Sequence, residues 1–176
     1  MLRQGVWILA ALLAATAGWT DWRSRRIPNW LTMPGILIGI AANTAVYGWT
    51  GTKESLLGAG LGLLLLLPFV LIRSLGGGDW KLAGALGAFL TSKHLVPVLL
   101  WAVLIGGVMA VILIISKKRV VQTLRNLLRM LAAFFTLHLP GPDLTLDNPE
   151  SLKVPFGVAF AIAAVSYSVR QIWGLG

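Results

Sequence analysis

The sequence contains no cysteine. That excludes disulfides, thiol nucleophiles and cysteine-ligated zinc or iron–sulfur centres within these 176 residues. Histidine is scarce: His94 and His138 lie far apart with no ligand spacing around them, so each reads as an interfacial or loop residue. No metal or other cofactor is expected. Acidic residues number six, against 15 Lys and Arg. Charged residues make up 12% of the chain, half the roughly 25% of a soluble domain, while 57% of residues are hydrophobic. With a mean hydropathy of +0.81, most of the chain reads as solvated by the lipid bilayer, in a single domain over residues 1–176. The net charge of +9 then reads as topogenic, cationic loops being held on the cytoplasmic side. Nucleic acid is not expected as a partner, because no basic patch is interleaved with aromatics outside the apolar runs.

Six apolar segments stand out, at roughly 5–20, 30–49, 56–72, 80–91, 95–115 and 154–173. Crossing the hydrocarbon core takes about 20 helical residues, with a range of about 17–25. The fourth segment is clearly short, and it follows three glycines and an aspartate, Gly76, Gly77, Gly78 and Asp79. A short span can begin within the membrane where the backbone before it is buried in protein or lines a wet cavity. The first segment ends on small residues, Ala14 to Ala17, resembling a signal-peptide cleavage region. Asp21, Arg23, Arg25 and Arg26 follow directly, as in a cytoplasmic loop, so it reads as a retained span. The expected fold is therefore all-α: a membrane bundle of six transmembrane helices.

With the 21–29 loop cytoplasmic and all six segments crossing, eleven Lys and Arg fall on the cytoplasmic side and four outside, which favours that orientation and outward termini. Between the fifth and sixth segments, Lys118, Arg119, Gln122, Arg125 and Arg129 recur at three- and four-residue steps opposite Val121, Leu124 and Leu128. That pattern is a basic amphipathic helix, suited either to the anionic leaflet or to packing on the protein. The stretch after it, ending near Glu150, is rich in Pro, Gly, Asp and Asn and reads as a loop. Small residues around Gly58, Gly62, Gly84 and Gly87 place the third and fourth segments in the bundle interior, where backbones approach closely.

Of the six acids, Glu54, Asp143, Asp147 and Glu150 read as solvated loop residues. Asp21 and Asp79 each stand at the cytoplasmic edge of a span. An ionisable group there marks a functional site by default. Two carboxylates held about 3 Å apart share a proton, so one can activate a water while the other protonates a scissile carbonyl. The glycines before Asp79 would let backbone approach a peptide or take up positive φ. On pattern alone the pair fits an aspartic protease, a proton or cation site in a transporter or assembly subunit, or a structural role equally well.

The local sequences add to this. "GGGDWKLAGALGAF" resembles the GxGDxKL signature of type IV prepilin peptidases at Gly76, Gly78, Asp79, Lys81 and Leu82. "TDWRSRRIPNWLT" is similar to the family's other block at Asp21, Arg26, Ile27, Pro28 and Asn29, and "KVPFGVAFAIAA" to its closing block at Pro155 and Gly157. The three blocks stand in family order and span nearly the whole chain. The resemblance implies a polytopic aspartic endopeptidase of the bacterial or archaeal cytoplasmic membrane, cutting the basic leader of prepilins or pilin-like precursors at the cytoplasmic face. It implies Asp21 and Asp79 as the catalytic pair, with either one activating the water. Thr20 before Asp21 departs from the Tyr-Asp pair of the presenilin type. Longer members carry a methyltransferase region with paired cysteines ahead of the first aspartate. With no cysteine and no room there, methyltransferase activity is not expected, and the chain resembles the short members of the tight-adherence or preflagellin type. Lys81 reads as a bias on Asp79 or a headgroup anchor. Pro28 reads as a helix start and Asn29 as its cap. Pro155 and Gly157 read as an opening for extended substrate or as simple helix initiation.

Overall fold

The structure is a computed structural model, described here for residues 2–135 and 154–174. The loop read at 136–153, with His138, Asp143, Asp147, Glu150 and Lys153, lies outside the described residues. Every regular element described is helical: α1 (Leu2–Ser24), α2 (Asn29–Leu71), α3 (Gly77–Ser116), α4 (Val120–Phe135) and α5 (Phe156–Ile172). The six apolar segments fall in four helices, α1, α2, α3 and α5, rather than in the six expected, and α4 is a fifth helix outside them. The reason is that α2 and α3 each carry two of the apolar segments, joined by a single non-helical residue. In α2 the break is Gly48, at φ 61° and ψ −144°; in α3 it is Thr91, at φ 61° and ψ 174°. Both α2 and α3 are long and apolar enough to cross a membrane.

Each break reverses the chain. Thr44 Oγ1 lies 2.7 Å from Thr52 Oγ1, whereas a straight helix separates residues eight apart by about 12 Å. The first arm of α2 (29–47) runs parallel to the first arm of α3 (77–90), since Gly35 faces Ala85 and Gly39 faces Ala88. Its second arm (49–71) runs antiparallel, with Gly58 against Gly87 and Gly62 against Ala83. Helix α5 runs antiparallel to α1, from Gly157 beside Asp21 to Tyr167 beside Trp7. The second arm of α3 (92–116) is antiparallel to α5, from His94 beside Tyr167 to Gly106 against Phe156. Six rods therefore alternate in direction, within the four helices α1, α2, α3 and α5.

The first arm of α3 is the central rod. Every residue from Leu82 to Leu90 is buried, as expected of a helix apolar all round. The second arm of α2, expected in the interior as well, is peripheral. It turns Ser55, Gly58, Ala59 and Gly62 inward and leaves Leu56, Leu57 and Leu64 exposed. Reversal at Thr91 deprives the last carbonyls of the central rod of their helical donors. Asn43 Nδ2 donates to the Ala88 and Phe89 carbonyls at 2.9 and 3.0 Å, and Ser55 Oγ donates to Ala88 at 2.7 Å. Buried carbonyls at a helix end need such partners.

Two sequence readings change in this frame. Glu54 and Lys53 lie on the second arm of α2 rather than in a loop. His94 is on α3, half-buried, hydrogen-bonded to the Tyr167 hydroxyl at 2.9 Å and edge-on to Trp7. The amphipathic pattern does form a helix, α4, whose Val121, Leu124 and Leu128 are exposed.

Candidate active site

The end of the bundle where α1 stops and α3 starts gathers the three sequence blocks. Asp21 lies in the last turns of α1, which continues to Ser24, so Asp21 is helical and not in a loop. Asp79 lies in the first turn of α3. The two carboxylates line one cavity of about 280 Å³, together with Arg25, Arg26, Ile27 and the three glycines.

Asp21 is buried, and its Oδ2 accepts the backbone N–H of Gly157 at 2.9 Å. Pro155 precedes α5 as its cap, so Gly157 contributes one of the amides that a helix start leaves without intrahelical acceptors. Negative charge is favoured there. Only glycine fits: a Cβ at Gly157 would lie 2.8 Å from Asp21 Cβ, 2.9 Å from its Oδ2 and 2.9 Å from Ile27 Cδ1. Asp79 sits differently. Its Oδ1 is buried and has no hydrogen-bond partner among the described residues. Each aspartate thus stands at a helix N-terminus, Asp79 at that of its own helix and Asp21 at that of α5.

The glycines before Asp79 keep negative φ, so their role is not left-handed backbone. They permit close approach. A Cβ at Gly78 would lie 3.1 Å from Ile27 Cβ, and one at Gly76 would lie 3.0 Å from Asp79 Oδ2. Gly77 meets nothing within 4 Å and leaves the cavity wall open. Helix α3 already includes Gly77 and Gly78, so the non-helical backbone lies before them.

Pro28 is the cap residue of α2, in extended conformation, and Asn29 is the first helical residue with no capping bond of its own. Asn29 Oδ1 instead accepts Lys81 Nζ at 2.9 Å, which ties the first block to the second. Next to Asp79, Trp80 Nε1 donates to the Leu63 carbonyl at 2.7 Å and fixes the start of α3 on α2. Ile27 was visible in the sequence only as part of a motif. Its place between Gly78 and Gly157 needs three elements to meet, which no local pattern encodes.

A second cavity, about 200 Å³, lies at the opposite end among Trp7, Asn43, Tyr47, Glu54 and His94. No group of three or more metal-ligating side chains occurs among the described residues.

Comparison with known proteins bears on the same segments. The sequence model of the type IV leader peptidase family matches residues 7–111, which include both aspartates. A prepilin leader peptidase/N-methyltransferase of Myxococcus xanthus is 26% identical over 84% of this chain and 56% of its own length. A protein of the same description from Xanthomonas campestris pv. campestris is 30% identical over 65% of this chain and 42% of its own. The chain thus spans about half the length of these curated relatives. No solved structure matches it. A family match over more than half the chain, on the helices that form the two-aspartate cavity, means that the chain belongs to the type IV leader peptidase family.

Proposed function

We propose that the chain is a membrane aspartic endopeptidase that removes the basic leader from prepilins or pilin-like precursors, using Asp21 and Asp79. The observation that carries this reading is the shared cavity: two carboxylates from distant parts of the sequence line one space at one end of the bundle. The relatives' description as prepilin leader peptidases supports the substrate class.

In the proposed reaction a water lies between the carboxylates. One takes a proton from the water as its oxygen adds to the scissile carbonyl carbon, and the other donates a proton to the carbonyl oxygen. Collapse breaks the C–N bond and delivers a proton to the departing amine. Leader carboxylate and new amino terminus are the products, and the pair returns to one shared proton.

The six rods are proposed to cross the membrane, with the aspartate end at the cytoplasmic face. Arg23, Arg25, Arg26, Arg73, Lys81, Lys117 and Lys118 all fall at that end, as cationic cytoplasmic loops require. Helix α4 follows there and places Arg125 and Arg129 beside its exposed apolar face, an arrangement suited to the anionic leaflet. Lys81, Asn29, Pro28, Arg26, Pro155 and the glycines shape the site and hold no reacting atom.

Co-expression with a candidate prepilin tests it. Asp21→Asn and Asp79→Asn should each leave the precursor full length while the protein still inserts. Normal processing by either variant refutes the two-aspartate mechanism.

A further inference from the structure

We propose that Ile27 is the spacer that sets the gap between the two aspartates, and that the Lys81–Asn29 hydrogen bond holds it in place. This rests on the two-aspartate reading above and gives Lys81 a positioning role.

The rods form two groups of three. One consists of α1, α5 and the second arm of α3; the other consists of both arms of α2 and the first arm of α3. Asp21 belongs to the first group and Asp79 to the second, so their separation depends on how the groups meet. Ile27 stands at that seam. It is 8% exposed, touches the second group at Gly78, beside Asp79, and touches the first at Gly157, whose amide holds Asp21. At both contacts a glycine brings backbone against it, at positions where a Cβ would come within 3.1 and 2.9 Å of its side chain. A close-packed contact of this kind has no slack, so removing the side chain between the two backbones leaves a void that lets the groups move relative to each other.

The segment carrying Ile27 is short and pinned at both ends. The Arg25 N–H donates to the Asp21 carbonyl at 2.8 Å, and Asn29 accepts Lys81 at 2.9 Å. Lys81 lies just beyond Asp79 on α3 and donates its hydrogen bond to Asn29 on α2. It therefore anchors the segment to the helix that carries Asp79. The Leu31 and Thr32 N–H groups tie the same segment to α2 through the Pro28 carbonyl, and the Lys81 bond adds the side-chain link to α3.

The chain has no native cysteine, so paired cysteines can measure the gap directly. In Asp21→Cys/Asp79→Cys protein, disulfide formation and bridging by short bis-maleimides of graded length should show a narrow length preference. Ile27→Gly and Lys81→Met should each broaden or shift it. A control pair at the opposite end, Thr44→Cys/Thr52→Cys, should crosslink unchanged in both backgrounds and so report a retained fold. In the protein with both aspartates, Ile27→Gly should lower kcat about a hundredfold with KM little changed, the scale of a misplacement of about 1 Å. Lys81→Met and Asn29→Leu should each lower kcat, combine to no more than either alone, and leave the pH profile in place. An Ile27→Gly protein with an unchanged crosslinking preference overturns the spacer. A pH profile displaced by Lys81→Met overturns the positioning role of Lys81. The crosslinking needs no precursor, so it stands or falls apart from the proposed peptidase activity.

Discussion

Replacing Gly157 by alanine places a methyl group where three atoms already crowd. Asp21 Cβ and Oδ2 and Ile27 Cδ1 would lie at 2.8, 2.9 and 2.9 Å, against about 3.5–4.0 Å for carbon atoms in comfortable contact. The Ile27 methyl is the end of a flexible side chain and can give. Asp21 Cβ is one bond from a helical backbone and cannot. The carboxylate must therefore swing away, and the 2.9 Å bond from the Gly157 amide is lost. A hydrogen bond to a charged group contributes about 1.5–3 kcal/mol. If that bond orients the reacting carboxylate, its loss lowers kcat roughly 10- to 150-fold. The assay is cleavage of a prepilin by the purified protein in detergent or vesicles, with folding followed by gel filtration. Correctly folded Gly157→Ala protein that cleaves within twofold of the parent refutes the claim that α5 orients Asp21.

Thr91 is a β-branched residue in a backbone region that is nearly restricted to glycine, which costs about 1–3 kcal/mol. Thr91→Gly should raise stability by that order in denaturation by detergent titration, and a fall in stability would refute the strain. Asn43→Ala should destabilise in the same assay by about 1–3 kcal/mol, since the Phe89 carbonyl loses its buried side-chain donor while Ala88 keeps Ser55. Membrane crossing is tested by single cysteines at Ser24 and Lys53, at opposite ends of the bundle. An impermeant maleimide should label Lys53→Cys in intact cells and Ser24→Cys only in inverted vesicles. Labelling of both from one side refutes the six-crossing reading.

Asp21 and Asp79 were legible because charge is scarce in this chain and each stands at the border of an apolar run. The helical class was legible from the same runs. The reversal points were not. Gly48 and Thr91 sit inside sequence that continues as helix on both sides, and Thr91 is not a residue that announces a break. The second arm of α2 is peripheral despite its glycines, for a related reason. Its glycines mark one close-packed face, while the leucines around them meet the outside. Lys81 and Asn29 each had a sound local reading, as anchor and cap. Their bond to each other depends on α2 and α3 running side by side in parallel, which only the folded chain supplies.

The break at Thr91 sets the far end of a long arm that carries Asp79. Asp79 lies twelve residues from it along the central rod, about 18 Å of helix. A tilt of about 5° at the break carries the carboxylate roughly 1.6 Å sideways, more than half the length of a hydrogen bond. Thr91 borders the far cavity, among Trp7, Glu54 and His94. Asn43 and Ser55 hold the rod at that end and Trp80 holds it at its start, so the position of Asp79 is set by side chains about 18 Å apart as well as by its neighbours.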